Sequence, residues 1–155
     1  MSKLRAVVGW QLGAAFDAEK GAWGDSLSDA LKGVTAKQAA WRPAEGRRSI
    51  GEIVNHLTYW KNVALGQLDA GAVPAEAPKA DWQPTPDEAA WTRALDQLQR
   101  SHAALAGQLS GMDEAALDDK PEAKGWPAWK VTFLSMAAHD AYHTGQIVTL
   151  RELQG

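Results

Sequence analysis

Cysteine is absent from the 155 residues, which excludes disulfides, thiolate metal sites and a cysteine nucleophile together. Any metal must therefore be held by histidine, aspartate or glutamate. Long apolar runs are also missing, and nothing approaches the roughly 18 apolar residues of a membrane span. The opening Met1-Ser2-Lys3-Leu4-Arg5-Ala6-Val7-Val8 has a basic start, but Gly9 and polar residues cut its apolar stretch at once, unlike the core of a signal peptide. The cytoplasm is the expected location, with no membrane partner. Dense basic runs are lacking beyond Arg42, Arg47 and Arg48, and the formal net charge is −3. Nucleic acid is not an expected ligand.

What is present is alanine, 29 residues of it, and tryptophan, eight residues. Alanine is the strongest helix former, and valine and isoleucine never alternate over a strand length, so the expected class is all-α. Hydrophobic residues make up 45% and charged ones 23%, ordinary values for a folded chain. The length fits a single domain over residues 1–155.

Punctuation divides the chain into four helical stretches. The first is expected from Leu4 to Lys32, closed by Gly33 and weakened by glycines that can break it near Gly21. Thr35 and Gln38 have capping-box spacing for a short turn of helix before Trp41-Arg42-Pro43 forces an extended connection. Ser49 and Glu52 repeat the pattern at the start of the second helix, which runs to Gly71. Pro74, Pro78, Pro84 and Pro86 then exclude helix and leave a long crossover. The third helix opens at Thr85-Pro86-Asp87-Glu88, with Thr85 as N-cap, and runs to Gly111. A short Asp113-capped turn leads to the fourth, from Ala128 to Leu153. Four helices of about 20 residues or more make a four-helix bundle.

Histidines stand at positions 56, 102, 139 and 143. His139 and His143 are four apart, which on a helix puts them about 40° apart around the axis and about 6 Å apart along it, so both can reach one metal. Their stripe also carries Thr132, Ser135, Met136, Gln146 and Leu150, a polar seam on a helix expected to be buried nearly all round. His56 shares its face with Glu52, Ile53, Trp60 and Val63. A third ligand from a second helix would complete an open three-histidine set. The competing reading is of core histidines bonded to neighbouring side chains. His102, beside Ser101, reads as a surface residue. His139-Asp140-Ala141-Tyr142-His143 is a poor zinc-peptidase motif, because Asp140 is shorter than the glutamate base and points about 100° away from the histidines.

Glu52, Trp60 and Gln146 are expected to line the pocket beside the histidines, and Trp126 and Trp129 can close its mouth. Most tryptophans are expected in the core. Arg47 and Arg48 read either as a solvated pair or as partners, with the helix start, for an anionic cosubstrate. Gly145 reads as a packing glycine, and Arg151 as a cap on its own helix end or a partner for an acidic residue.

The segment His139-Asp140-Ala141-Tyr142-His143-Thr144-Gly145-Gln146-Ile147-Val148-Thr149-Leu150-Arg151 resembles the closing helix of the DinB-like superfamily, with its H-x-x-x-H, Gly-Gln pair and later arginine. Trp41-Arg42-Pro43-Ala44-Glu45-Gly46, leading to Ser49-Ile50-Gly51-Glu52-Ile53-Val54-Asn55-His56-Leu57, is similar to that family's entry to its second helix. The resemblance spans nearly the whole chain. It implies a four-helix bundle of up-down-down-up connectivity, with a divalent metal on His56, His139 and His143: zinc or nickel first, iron or manganese next. It further implies a symmetric homodimer and an enzyme of the kind found among relatives, which are thiol-dependent S-transferases and a maleylpyruvate isomerase using a low-molecular-weight thiol with the metal. A metal-dependent hydrolase, or a stress-response protein that binds metal or a small ligand without turnover, remains the alternative. With no cysteine in the chain, the sulfur of a thiol reaction has to come from a cosubstrate.

Overall fold

The computed structural model describes residues 3–17, 24–74, 80–122 and 124–155. Among the described residues every regular element is helical: α1 (Lys3–Phe16), α2 (Leu27–Leu31), α3 (Ala36–Ala40), α4 (Ile50–Leu68), α5 (Glu88–Gly111) and α6 (Trp129–Glu152), with 3-10 turns at Ala70–Ala72 and Ala115–Asp118. No helix among them is long and apolar enough to cross a membrane.

Side chains mark the starts. Ser26 with Asp29, Thr35 with Gln38 and Ser49 with Glu52 each form both halves of a capping box, opening α2, α3 and α4. Such a cap contributes about 1 kcal/mol, enough to fix where a marginal helix begins. The Ser26 box also explains why the expected helix from Leu4 to Lys32 is divided: α1 stops at Phe16 and the chain restarts at α2. The break expected near Gly21 lies outside the described residues. Gly33, at φ +75°, takes the left-handed conformation that ends α2.

Three other boundaries differ from expectation. The second long helix, α4, stops at Leu68 because Asp69 turns extended and caps the 3-10 turn through the Gly71 N–H. Asp87, not Thr85, is the N-cap of α5, accepting from the Ala90 N–H at 2.7 Å. The turn before α6 is preceded by Glu114, with no side-chain cap from Asp113. At 14 and 19 residues, α1 and α4 are also shorter than expected.

Two apolar clusters give the helix directions. One gathers Phe16 of α1, Ile50, Ile53 and Leu57 of α4, Trp91 and Leu98 of α5, and Ile147 of α6. The other gathers Val8 and Leu12 of α1, Leu65 of α4, Leu105 and Leu109 of α5, and Phe133 of α6. The early halves of α4 and α5 thus meet the late halves of α1 and α6, which is the up-down-down-up connectivity. Because α4 and α5 run parallel, the chain between them must return the length of α4, about 28 Å.

A polar layer separates the clusters. Lys61 of α4 bonds both carboxylate oxygens of Asp140 on α6, at 2.5 and 2.6 Å, with the two side chains 1% and 0% exposed. Beside them Ser101 of α5 donates to Asn62 of α4 at 2.8 Å, and His102 of α5 stacks on Phe16 of α1 with centroids 3.7 Å apart. His102 is therefore buried, not a surface residue; its neighbour Ser101 looked polar in sequence but belongs to the same interior layer.

The tryptophans also depart from expectation. Trp91 and Trp129 are in the core, the former donating to the Val34 carbonyl at 2.9 Å, whereas Trp10, Trp41 and Trp60 are exposed. Nor is α6 buried all round: Val131, Leu134 and Tyr142 face solvent along one edge.

Candidate metal centre

His56 projects from the middle of α4, and His139 and His143 from successive turns of α6, so antiparallel packing of the two helices brings all three together. His139 Nε2 lies 3.0 Å from His56 Nε2 and 3.1 Å from His143 Nε2. All three ligand atoms fall within 4.8 Å of one another, and the set could hold a metal ion.

The partners behind the rings decide which nitrogens carry hydrogen. His56 Nδ1 lies 2.6 Å from Asp81 Oδ1, and His143 Nδ1 lies 2.7 Å from Gln146 Oε1. Both acceptors require an Nδ1–H, which leaves Nε2 of His56 and of His143 as bare lone pairs. The Gln146 amide is oriented in turn by donating to the Tyr142 hydroxyl at 3.1 Å. His139 Nε2 carries at most one hydrogen and cannot donate to both neighbours, so at least one converging lone pair is left for a cation.

Spacing fits the same conclusion. Two nitrogens about 2.1 Å from one cation stand about 3.0 Å apart at a right angle and about 3.4 Å apart at a tetrahedral angle. The observed separations of 3.0 and 3.1 Å match the right angle. An all-nitrogen set of this kind suits zinc, nickel, iron and other first-row ions.

Charge agrees as well. Burial, followed by the neighbouring His143 and His56, pushes His139 down to about 4. Burial likewise lowers His143, against the opposing pull of the Gln146 bond. Both are neutral ligands at neutral pH. At the residue after His139, burial pushes the Asp140 carboxyl above its ordinary value, against the downward pull of the Lys61 ammonium.

The crossover supplies the residues that sequence reasoning missed. Its returning segment is pinned to α4 at three points: Asp81 on His56, the Gln83 carbonyl on Asn55 Nδ2 at 2.8 Å, and Thr85 over Gly51, where a Cβ would stand 1.8 Å from Thr85 Oγ1. Asp81 also accepts from Trp60 Nε1 at 3.3 Å and from the Trp82 N–H at 2.8 Å. Trp82 stacks on the His56 ring, centroids 3.7 Å apart, and the Arg48 guanidinium lies 4.6 Å from the Trp82 centroid on the indole face. Trp82 holds φ +55°, a strained conformation for an aromatic residue that this sandwich sustains.

A cavity of about 840 Å³ opens beside the histidines, bounded by Arg47, Arg48, Trp82, Tyr142, Gln146 and Leu150 among others. Gln146 lines this cavity, with Oε1 2.7 Å from His143 Nδ1. Glu52 does not line this cavity: its carboxylate is turned to the Ser49 N–H at 2.9 Å and to Arg42 and Arg48. Burial pushes Glu52 up, but those three donors together hold it below the ordinary carboxylate value. Trp60 sits to one side, walling a separate depression with Ser135, Met136 and His139. Trp126 and Pro127 lie along that same side, while Trp129 belongs to the far apolar cluster and closes nothing.

Gly145 packs against no neighbouring helix, since a Cβ there would meet open space in the cavity wall. Arg151 reaches across to the end of α2 and bonds the Ala30 carbonyl at 2.8 Å, capping another helix and not its own.

No curated protein and no solved structure shows significant similarity to the chain. The family model of the DinB superfamily matches residues 21–147, a span that includes all three converging histidines, the whole of α4 and α6 as far as Ile147, and the chain belongs to that superfamily.

Proposed function

We propose that His56, His139 and His143 hold a divalent metal and that the protein is a metal-dependent enzyme, most closely a thiol-dependent S-transferase or a related isomerase. The observation that carries this reading is the convergence of Nε2 lone pairs, fixed by Asp81 and Gln146, at the wall of a cavity of ligand size. A divalent cation there supplies a Lewis acid that favours the thiolate form of a bound thiol at neutral pH.

The chain's own residues do the rest. Asp81 and Gln146 keep the Nδ1 hydrogens in place and the rings aimed, and Trp82 stops the His56 ring from turning. The Lys61–Asp140 pair, made by the residue that follows His139, ties α4 to α6 and holds the two helices in register. Because the chain has no cysteine, the nucleophilic sulfur comes from a small thiol that enters the cavity. Val7 and Trp10 of α1 and Val131 and Leu134 of α6 are exposed on two helices that pack together, and pairing of two copies over them is the oligomer we propose, to be checked by light scattering.

Cobalt-loaded protein titrated with a panel of small thiols tests the chemistry. A new sulfur-to-metal charge-transfer band that His139→Ala abolishes supports the reading; an unchanged spectrum across the panel overturns it. Consumption of an electrophile then separates a transferase from a thiol receptor.

A further inference from the structure

The cavity is chemically one-sided in a way the histidines do not explain. Its described lining includes two arginines, Arg47 and Arg48, and no aspartate or glutamate. The carboxylates behind this wall are turned away from it, Glu52 held by the Ser49 N–H, Arg42 and Arg48, and Asp81 by His56, Trp60 and Trp82. Arg48 is fixed by Glu52 at 3.1 Å and by the Trp82 face. Among the described residues the Arg47 guanidinium has neither an ion-pair partner nor a hydrogen-bond partner. The start of α4 is no competing anion site, because Ser49 and Glu52 already take each other's backbone N–H groups. Below the arginines the wall turns apolar and aromatic, with Ile53, Trp82, Leu150 and Leu153 leading toward the histidines.

We infer that the cavity takes a small organic oxyanion whose carboxylate or phosphate is gripped by Arg47, with Arg48 as the second edge, and whose apolar body lies along Trp82 and Leu150 toward the histidine cluster. A guanidinium presents a planar fork matched to both oxyanions, and one that faces a partly apolar cavity has more to gain from an anion than one in open solvent. The volume, about 840 Å³, lies in the range that holds a ligand of this size. The inference deepens the proposed function and rests on its reading of the histidine cluster as the reacting end of the same cavity. Arg47 is then the residue that sets which ligands enter.

Metal-free protein separates the two ideas, since no metal ion is then present to hold the anion. Calorimetric titration uses benzoate and phenyl phosphate as probes, with benzyl alcohol as the neutral control. At least one anion should bind and the alcohol should not, and the preferred anion tells carboxylate from phosphate recognition. Arg47→Gln should weaken that binding about tenfold or more, the usual cost of losing one charged hydrogen-bond partner, while Arg47→Lys recovers part of it. Arg47 is exposed, so both variants fold, and their metal stoichiometry should match the parent's. If neither anion binds, if the alcohol binds as well as the anions, or if Arg47→Gln leaves affinity unchanged, the inference is overturned while the metal centre stands. Loss of metal binding in the parent with anion binding intact would sink the metal reading instead.

Discussion

Asp81 Oδ1 lies 2.6 Å from His56 Nδ1 across 25 residues of sequence, so the crossover that joins two parallel helices also sets the tautomer of a histidine on the first of them. Fold and site share this contact. Asp81→Ala should weaken zinc binding about 10–100-fold, the usual loss when the partner behind a ligating histidine is removed. Chelator competition reads the affinity, and an unchanged value would show that Asp81 does nothing for the histidine.

Gly51 is where that crossover comes closest to α4. A Cβ there would stand 1.8 Å from Thr85 Oγ1 and 2.9 Å from Thr85 Cβ, so Gly51→Ala must push the segment outward. The variant should lose about 1–3 kcal/mol of stability and also bind metal more weakly, because Asp81 sits on the displaced strand of chain. Thr85→Gly in the same background should restore both. Denaturant melts and metal titrations of the single and double variants check it; recovery of neither would break the proposed coupling.

Lys61 and Asp140 make the sharpest stability prediction. Asp140→Ala strands a buried ammonium and should cost about 3–5 kcal/mol, whereas Lys61→Met combined with Asp140→Leu removes both charges and should come close to the parent. Urea denaturation distinguishes them. A small loss in Asp140→Ala would mean that water reaches Lys61.

The histidines predict an acid limb for the metal-free protein. Unfolded His139 takes up a proton near its ordinary value of 6.5, while burial holds the folded residue neutral down to about 4. Within that window the unfolded chain binds more protons, so stability is fully present above about pH 6.5 and is lost as pH falls toward about 4. His143, also lowered, adds in the same direction. Tm followed down this range should fall less steeply in His139→Gln than in the parent; equal slopes would assign the acid limb to other groups.

Much of this was legible in the sequence because it is local. Capping boxes at Thr35 and Ser49 mark helix starts through bonds three residues apart, and the i, i+4 pair His139 and His143 needs only a helix to converge. What escaped was carried by tertiary packing. Asp81 and Trp82 lie in a proline-rich connection without periodicity, and only the parallel run of α4 and α5 brings them back past His56. His102 reads as a surface residue until Phe16 stacks on it, and nothing local links Lys61 to Asp140, 79 residues further along the chain. Arg151 looked like a cap for its own helix because nothing local shows that α2 ends beside it.

The central claim is a single metal on three histidines, and titration of the metal-free, tag-free protein with zinc tests it most directly. One equivalent per chain should bind, and His56→Ala, His139→Ala and His143→Ala should each abolish or severely weaken that binding while the variants stay folded. Tight stoichiometric binding that survives in all three variants, or no binding to the parent at all, would contradict the account.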